Sequence, residues 1–378
     1  MWSSKRSAIP AHIRRLCTLG LPMEGIVPAL MRVLYREAHC DAGVVLWFDG
    51  RGEIANLYTR NLPPPAEMVA WFAPAQEPSS STVRLPGRGV PIHRTQTVET
   101  CAADTDGGAA AERRPEPFCA HRHLCAMAMP SGAPMQRLCC SVLRNGVPVA
   151  ALMLYRSATT PPFSSEERAA VKAAGRYLSL NGCPTLADTG AAMYRSCGEQ
   201  ALLLCEPDGE VVKASANGYE LLAQATGCAI NRRTVPHELR RAGRDLLHHL
   251  LADAAVHSTR DAHGGEHYPT RINAWGLFRL HAFREEPSAL HAVLIERVEH
   301  LLVRLVAAMQ YLDLSVQQGE VLLLLAQGLS HDSIADRMGV SPNTADYHVR
   351  QLYSKLGAHT RNEAIADALN AAEAARAA

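Results

Sequence analysis

Ser330-His-Asp-Ser-Ile-Ala-Asp-Arg-Met-Gly-Val-Ser-Pro-Asn-Thr-Ala-Asp-Tyr-His-Val-Arg-Gln-Leu-Tyr-Ser-Lys-Leu-Gly357 holds two helix starts and two helix stops in one short stretch. Ser330 caps a short helix over Asp332–Met338, and Gly339 ends it. Ser341 caps the next helix, Asn343–Leu356, with Pro342 at its first position and Gly357 as its stop. Helical spacing sets Ile334, Ala335 and Met338 against Ala345, Val349, Leu352 and Leu356. The same spacing turns Asn343, Asp346, Tyr347, Arg350 and Gln351 outward. A short helix, the turn Gly339-Val-Ser-Pro342 and a longer helix make a helix-turn-helix.

The punctuation continues on both sides. Ser315 and Gln318 form a capping box for a preceding helix that Gly328 stops, and Thr360 with Glu363 opens a last one. The four together predict an all-α four-helix unit over residues 313–378. A recognition helix needs groups that reach base edges in the major groove. Arg350 suits guanine, Asn343 or Gln351 adenine, and Asp346 accepts only from a donor such as cytosine N4. The run Leu314-Ser-Val-Gln-Gln-Gly-Glu-Val-Leu-Leu-Leu-Leu-Ala-Gln-Gly-Leu-Ser330 resembles the opening of the LuxR-type DNA-binding domain. The resemblance continues through Ile334-Ala335, Gly339-Val-Ser341, Thr344, His348-Val-Arg350, Leu352, Lys355-Leu-Gly357 and Arg361. It implies that Glu320 is the acid typical of the first helix and that Asn343–Arg350 opens the recognition helix. It further implies that residues 358–375 form a helix that commonly dimerises. DNA-contacting residues on this basis are Asn343, Thr344, Asp346, Tyr347, Arg350, Gln351, Lys355 and Arg361. Where the family usually has Thr-Val-Lys, this chain has Thr344-Ala345-Asp346, an acid in place of a base.

Charge argues in the other direction. The net charge of +1 divides into +6 for residues 1–185, −2 for 186–311 and −3 for 312–378. The least basic third therefore carries the helix-turn-helix. Binding needs positive charge at the phosphates rather than a positive domain, and Arg337, Arg350, Lys355 and Arg361 supply it together with the recognition helix's N-terminus. Two readings follow: a sequence-specific DNA-binding transcription regulator acting as a homodimer on double-stranded DNA, or an interaction protein that sequesters another regulator without touching DNA.

Upstream, 378 residues with 47% apolar and 20% charged content leave room for two further folded units. Residues 1–185 read as helix, hairpin, loop, hairpin, helix: a helix over Leu21–His39, Ala42–Phe48 returning through Glu53–Thr59, and Met135–Leu143 returning through Val147–Tyr155. Ser164 and Glu167 then cap a helix reaching about Leu180. Between the hairpins, Pro74–Pro117 reads as a long loop, either a lid or an insert. Gly43-Val-Val-Leu-Trp-Phe-Asp49, Asn145-Gly-Val-Pro-Val-Ala-Ala-Leu152 and Pro162-Phe-Ser-Ser-Glu166 resemble a GAF-type sensory domain. Residues 186–300 read as a hairpin around Glu206-Pro-Asp-Gly209, helices near Asn217–Gln224 and Arg240–Val256, and two long strands, Thr270–Arg284 and Ala289–Val298. Glu206-Pro-Asp-Gly-Glu-Val-Val-Lys-Ala-Ser-Ala-Asn217 and the terminal strands resemble a PAS domain. Both resemblances imply antiparallel sheets with a concave face able to hold a small molecule, giving a multidomain α+β chain. No internal sequence repeat is evident.

Trp47, Tyr58, Trp71 and Phe72 are candidates to line a ligand pocket, with plain core as the alternative. Cys119, His121, His123 and Cys125 alternate along one stretch, followed by Cys139 and Cys140. Alternate strand positions lie about 6.5 Å apart, so one straight strand cannot close a tetrahedral site. We read the cluster as a cysteine-rich sheet face and predict no cofactor; a metal or haem iron shared with Cys139 or Cys140 is the alternative. Residues 301–312 read as a connecting helix, and across Glu296–Leu312 the residues Val298, Leu302, Leu305, Met309 and Leu312 form a two-heptad seam, or else an amphipathic helix packed on its own domain. No apolar run reaches membrane-spanning length and no secretory signal is visible. The 11 cysteines show no disulfide spacing, so the expected location is the cytoplasm. The histidines assemble with no nucleophile or acid at catalytic spacing, so no enzyme is expected. RNA polymerase and an unidentified small molecule complete the expected partners.

Overall fold

The computed structural model describes residues 8–50, 52, 54–60, 95–97, 135–157, 159–180, 193–230, 236–256, 269–284 and 290–377. Trp71, Phe72, Cys119, His121, His123 and Cys125 lie outside them.

Two helices, α1 (Ala8–Cys17) and α2 (Met23–Ala38), precede strands β1 (Ala42–Phe48), β2 (Ile54–Arg60), β3 (Thr95–Thr97), β4 (Met135–Arg144) and β5 (Val147–Ser157) and helix α3 (Ser165–Leu180). Helix α1 was not foreseen, and strand β3 falls inside the stretch read as a loop. The sheet order is β2-β1-β5-β4-β3, with β3 parallel to β4 and the other pairs antiparallel. Asn145 and Gly146 sit at φ 51° and 75°, the left-handed pair that a tight β4–β5 hairpin demands. The capping box forms: Ser164 Oγ accepts from Glu167 N at 3.1 Å, and Glu167 accepts from Ser164 N at 2.6 Å. Both faces of this sheet are buried. Val45, Tyr58, Leu152 and Leu154 pack with Ile26, Leu30 and Leu178, while Val44, Leu46, Leu57 and Met153 join a second cluster that includes Ala223 and Ile230.

The second unit comprises β6 (Tyr194–Cys205), β7 (Val211–Ala214), α4 (Gly218–Thr226), α5 (Pro236–Val256), β8 (Thr270–Asn273), β9 (Gly276–Arg284) and β10 (His291–His300). Its order, β7-β6-β10-β9-β8, is the same permutation as in the first sheet once strands are counted within each unit. A repetition invisible in the sequence is thus present in the topology. The single strand expected over Thr270–Arg284 is instead a hairpin. Asn273 Oδ1 accepts from Trp275 N at 2.9 Å, and Gly276 takes φ 132°, which folds the chain back on itself. Gly209, at φ 85°, closes the β6–β7 turn by donating to Glu206 O at 2.9 Å. A Cβ there would collide with the Arg244 carbonyl of α5.

Strand β10 runs directly into α6 (Leu301–Ala308), whose eight residues are all buried. The connecting helix therefore ends four residues before Leu312, and Val298 of the expected seam lies in a strand. A helix buried on every side offers no coiled-coil stripe, and it is not the amphipathic alternative either, because it packs against α1, α2 and the C-terminal helices as well as β6 and β10. The last four helices are α7 (Val316–Ala326), α8 (His331–Met338), α9 (Pro342–Leu356) and α10 (Arg361–Ala377). They dock on the rest of the chain through Arg304 to Glu373 at 3.2 Å and Arg15 to the Val316 carbonyl at 3.3 Å. Among the described residues, no helix is long and apolar enough to cross a membrane.

Candidate nucleic-acid interface

Helix α9 is fixed at both ends by its own sequence. Ser341 Oγ accepts from Thr344 N at 3.2 Å, Pro342 occupies the first turn, and Gly357 takes the left-handed conformation that ends it. Helix α8 starts the same way, with Ser330 Oγ accepting from Ser333 N at 3.3 Å, and ends at the left-handed Gly339. Ile334, Ala335, Ala345, Val349 and Leu352 are buried between them. Met338 and Leu356 pack at the edge. This leaves one face of α9 to solvent: Asn343, Thr344, Tyr347, Arg350 and Gln351 are exposed. Tyr347 is 59% exposed and stands edge-on to His348 with ring centroids 5.6 Å apart.

The remaining candidate contacts are engaged. Asp346 Oδ1 lies 2.7 Å from His331 Nδ1, so the acid on the recognition helix is tied to the first residue of α8. Lys355 pairs with Asp313 at 3.3 Å. Arg361 is half-buried and donates to the Leu329 carbonyl at 2.7 Å, where it joins α10 to the loop before α8. Arg337 and Arg350 are exposed and show no ion pair among the described residues. The arrangement presents a helix with one uncommitted guanidinium flanked by amide and hydroxyl donors, which is chemistry suited to base edges.

The proposed ligand-lining pair lies elsewhere, between the two sheets. Trp47 and Tyr58 are buried and pack on Trp275 of the second unit, at centroid distances of 5.8 Å edge-on and 5.9 Å stacked. Tyr58 also borders a cavity of about 10 Å³ with Glu220, Gln224 and Trp275, room for about one water. Around this junction lies an ionic cluster that sequence reasoning missed. Arg32 of α2 reaches Glu199 at 2.8 Å and Glu299 at 2.5 Å, and the fully buried Arg297 reaches both carboxylates at 3.0 Å. Arg297 also donates to the Trp275 carbonyl at 2.9 Å. Burial would raise the Glu199 carboxyl, but Arg297 and then Arg32 outweigh it and hold it at about 2. Glu220 behaves oppositely: burial, then the nearby Glu199 charge, pushes it up to about 8. Cys197, Glu199 and Glu299 have metal-ligand proximity. Arg32 and Arg297 already neutralise the two carboxylates, so the donor set favours ion pairs over a cation. Cys139 and Cys140 belong to clusters on opposite faces of their sheet, which prevents them from ligating one ion together.

Fold and site thus define a helix-turn-helix unit carried behind two sheet units of like strand order, the first antiparallel except for its edge pair β3–β4 and the second antiparallel throughout. The family described as bacterial regulatory proteins, luxR family (GerE), matches residues 312–368. Those residues form a LuxR-type helix-turn-helix domain. The chain is 36% identical over 107 residues to the probable transcriptional regulatory protein SgaR of Hyphomicrobium methylovorum, covering 25% of this chain and 47% of that one. It therefore spans about half the length of the curated relative it matches. Two structures of Vibrio cholerae VqmA are also similar, one of the dimer without target DNA and one of a ligand–DNA complex. They show 16% and 15% identity over 46% of this chain and 84% of VqmA, with TM-scores of 0.16 and 0.22. Overlays this slight carry no argument about this chain.

Proposed function

We propose that the chain is a dimeric, sequence-specific transcription regulator that binds double-stranded DNA through α9 in response to a signal sensed upstream. The observation that carries this reading is the exposed face of α9, with Asn343, Arg350 and Gln351 free of the docked body while Ala345, Val349 and Leu352 are buried behind them. Asn343 and Gln351 suit adenine and Arg350 guanine, and Thr344 Oγ1 at the helix start suits a phosphate. The shared strand order of the two sheets supports the reading of residues 1–185 and 186–300 as GAF-like and PAS-like sensor units. In this reading a small molecule alters how the two units meet, and β10 passes the change through α6 to α10, which Arg304 and Glu373 join. No catalytic role or cofactor is assigned; the regulator works in the cytoplasm and recruits or blocks RNA polymerase.

Mobility-shift and anisotropy titrations against promoter fragments test the reading. Arg350→Ala weakens specific binding by about 1–3 kcal/mol if that side chain reads a base. One observation favours a second reading, in which the fold sequesters another regulator. With Lys355 and Arg361 engaged and Asp346 on the helix, few uncommitted cations remain to meet phosphates. Co-purification of a partner regulator by a chain with no DNA affinity would select it.

A further inference from the structure

We infer that the outer face of the second sheet is where two copies of this chain meet. The inference rests on the reading of the chain as a dimeric regulator and supplies the surface that reading lacks. In β6, β10 and β9 the register sets Leu204, Ala292 and Phe283 side by side, and Leu202, Leu294 and His281 in the next row. Their strand neighbours Leu203, Val293, Ile295 and Leu280 point the opposite way and are buried in the core. An antiparallel sheet with one face packed and one face wet reads apolar-in, polar-out. These strands are apolar on both sides. Leu202 stays 49% and Phe283 55% exposed, and Leu204, Ala292 and Leu294 are half-buried. The first sheet has the same strand order, yet Val44, Leu46, Leu57 and Met153 on its second face are buried within the chain. Strand order therefore does not account for the exposed face.

The occupant follows from what the other helices already do. Two recognition helices on two half-sites require a dimer. The apolar stripe of α10, Ala364, Ala368 and Ala372, is buried inside the chain, and α6 is buried throughout. Neither carries a large apolar side chain that is fully exposed to a second copy. Among the described residues, other exposed large apolar side chains, such as Val147, Leu180, Val316 and Tyr347, come from separate elements. The rows on β6, β10 and β9 cover roughly 200 Å² at ordinary strand spacing and rise. They would form the apolar centre of an interface burying about 800 Å² per partner, with a polar border outside it. The border is present: Gln200, Glu296 and Arg279 form the next row, and Arg279 pairs with Glu296 at 3.3 Å. A two-fold contact sets a patch against itself, so this centre of leucines, Ala292, Phe283 and His281, bordered by the Glu296–Arg279 pair on one side and by Lys213 beside Leu204 on the other, would meet its own copy.

Sedimentation equilibrium of the full chain tests this. The wild type is expected to be a dimer at micromolar concentration, with Val316→Arg, an exposed change on α7, equally dimeric. The double variant Leu202→Arg/Phe283→Arg is expected to be monomeric, its dissociation constant raised at least about a hundredfold, with an unchanged far-UV spectrum and melting temperature. Leu202→Ser/Phe283→Ser answers the same question should the arginines lower solubility. A wild type that stays monomeric, or serine and arginine variants as dimeric as wild type, overturns the proposal. A dimeric wild type without DNA affinity would defeat the regulator reading and leave this surface standing. A DNA-binding dimer indifferent to the variants would do the reverse.

Discussion

The C-terminal helical unit and the junction between the two sheets are held together by opposite means. In the helical unit each element is defined within a few residues of chain: Ser315, Ser330 and Ser341 cap, Gly339 and Gly357 stop, and the buried seam repeats at helical spacing. At the junction, Arg32 is bound to carboxylates 167 and 267 residues away, and Arg297 to a carboxylate 98 residues away. Local punctuation makes an element; distant charge makes an assembly. The first costs little to alter at any one point, whereas the second concentrates its dependence in a few buried groups.

The largest break in this comparison should come at Arg297. Arg297→Ala leaves Glu199 and Glu299 buried with reduced compensation, and a loss of about 3–5 kcal/mol is expected in denaturant unfolding. Arg350→Ala should leave stability within about 0.5 kcal/mol and act on DNA affinity alone. In the helical unit, Ser341→Ala should cost about 1 kcal/mol, since one backbone donor at the start of α9 loses its acceptor. A Ser341→Ala variant as damaging as Arg297→Ala would mean that the two regions are not held by different means.

A further effect is one of pH. Glu220 is raised from its ordinary 4.5 to about 8, so across that window the folded chain keeps a proton that the unfolded chain has released. Stability should therefore fall as pH rises from about 4.5 towards 8, and Glu220→Gln should flatten that slope. Glu199, held at about 2, acts in the other direction: its contribution is complete above 4.5 and is lost as pH falls towards 2. Melting curves across this range in wild type and Glu220→Gln separate the two carboxyls.

The same contrast explains what the sequence made legible. Ser330 to Gly357 could be read residue by residue because caps, stops and helical spacing are short-range properties. The β4–β5 hairpin was equally readable from Asn145-Gly146, and α3 from Ser164 and Glu167. The strand Thr270–Arg284 was misjudged because Asn273-Ala-Trp-Gly276 folds back through a side-chain hydrogen bond that composition barely hints at. Helix α6 kept its seam-like spacing in sequence, but burial on all sides came from neighbours far along the chain. The pairing of Trp47 and Tyr58 with Trp275 had no local signal either. On α9 the outward residues were foreseen, while the engagement of Asp346 by His331, Lys355 by Asp313 and Arg361 by Leu329 needed three dimensions.

Whether α9 reads DNA sequence is decided by a fluorescence-anisotropy titration of the folded full chain against promoter fragments at low salt, with wild type and Arg350→Ala in parallel. Wild type should prefer particular fragments over random duplex, the preference should weaken as salt rises, and Arg350→Ala should lose about 1–3 kcal/mol of it. A folded, dimeric wild type that binds every fragment no better than random duplex would rule out sequence reading by α9.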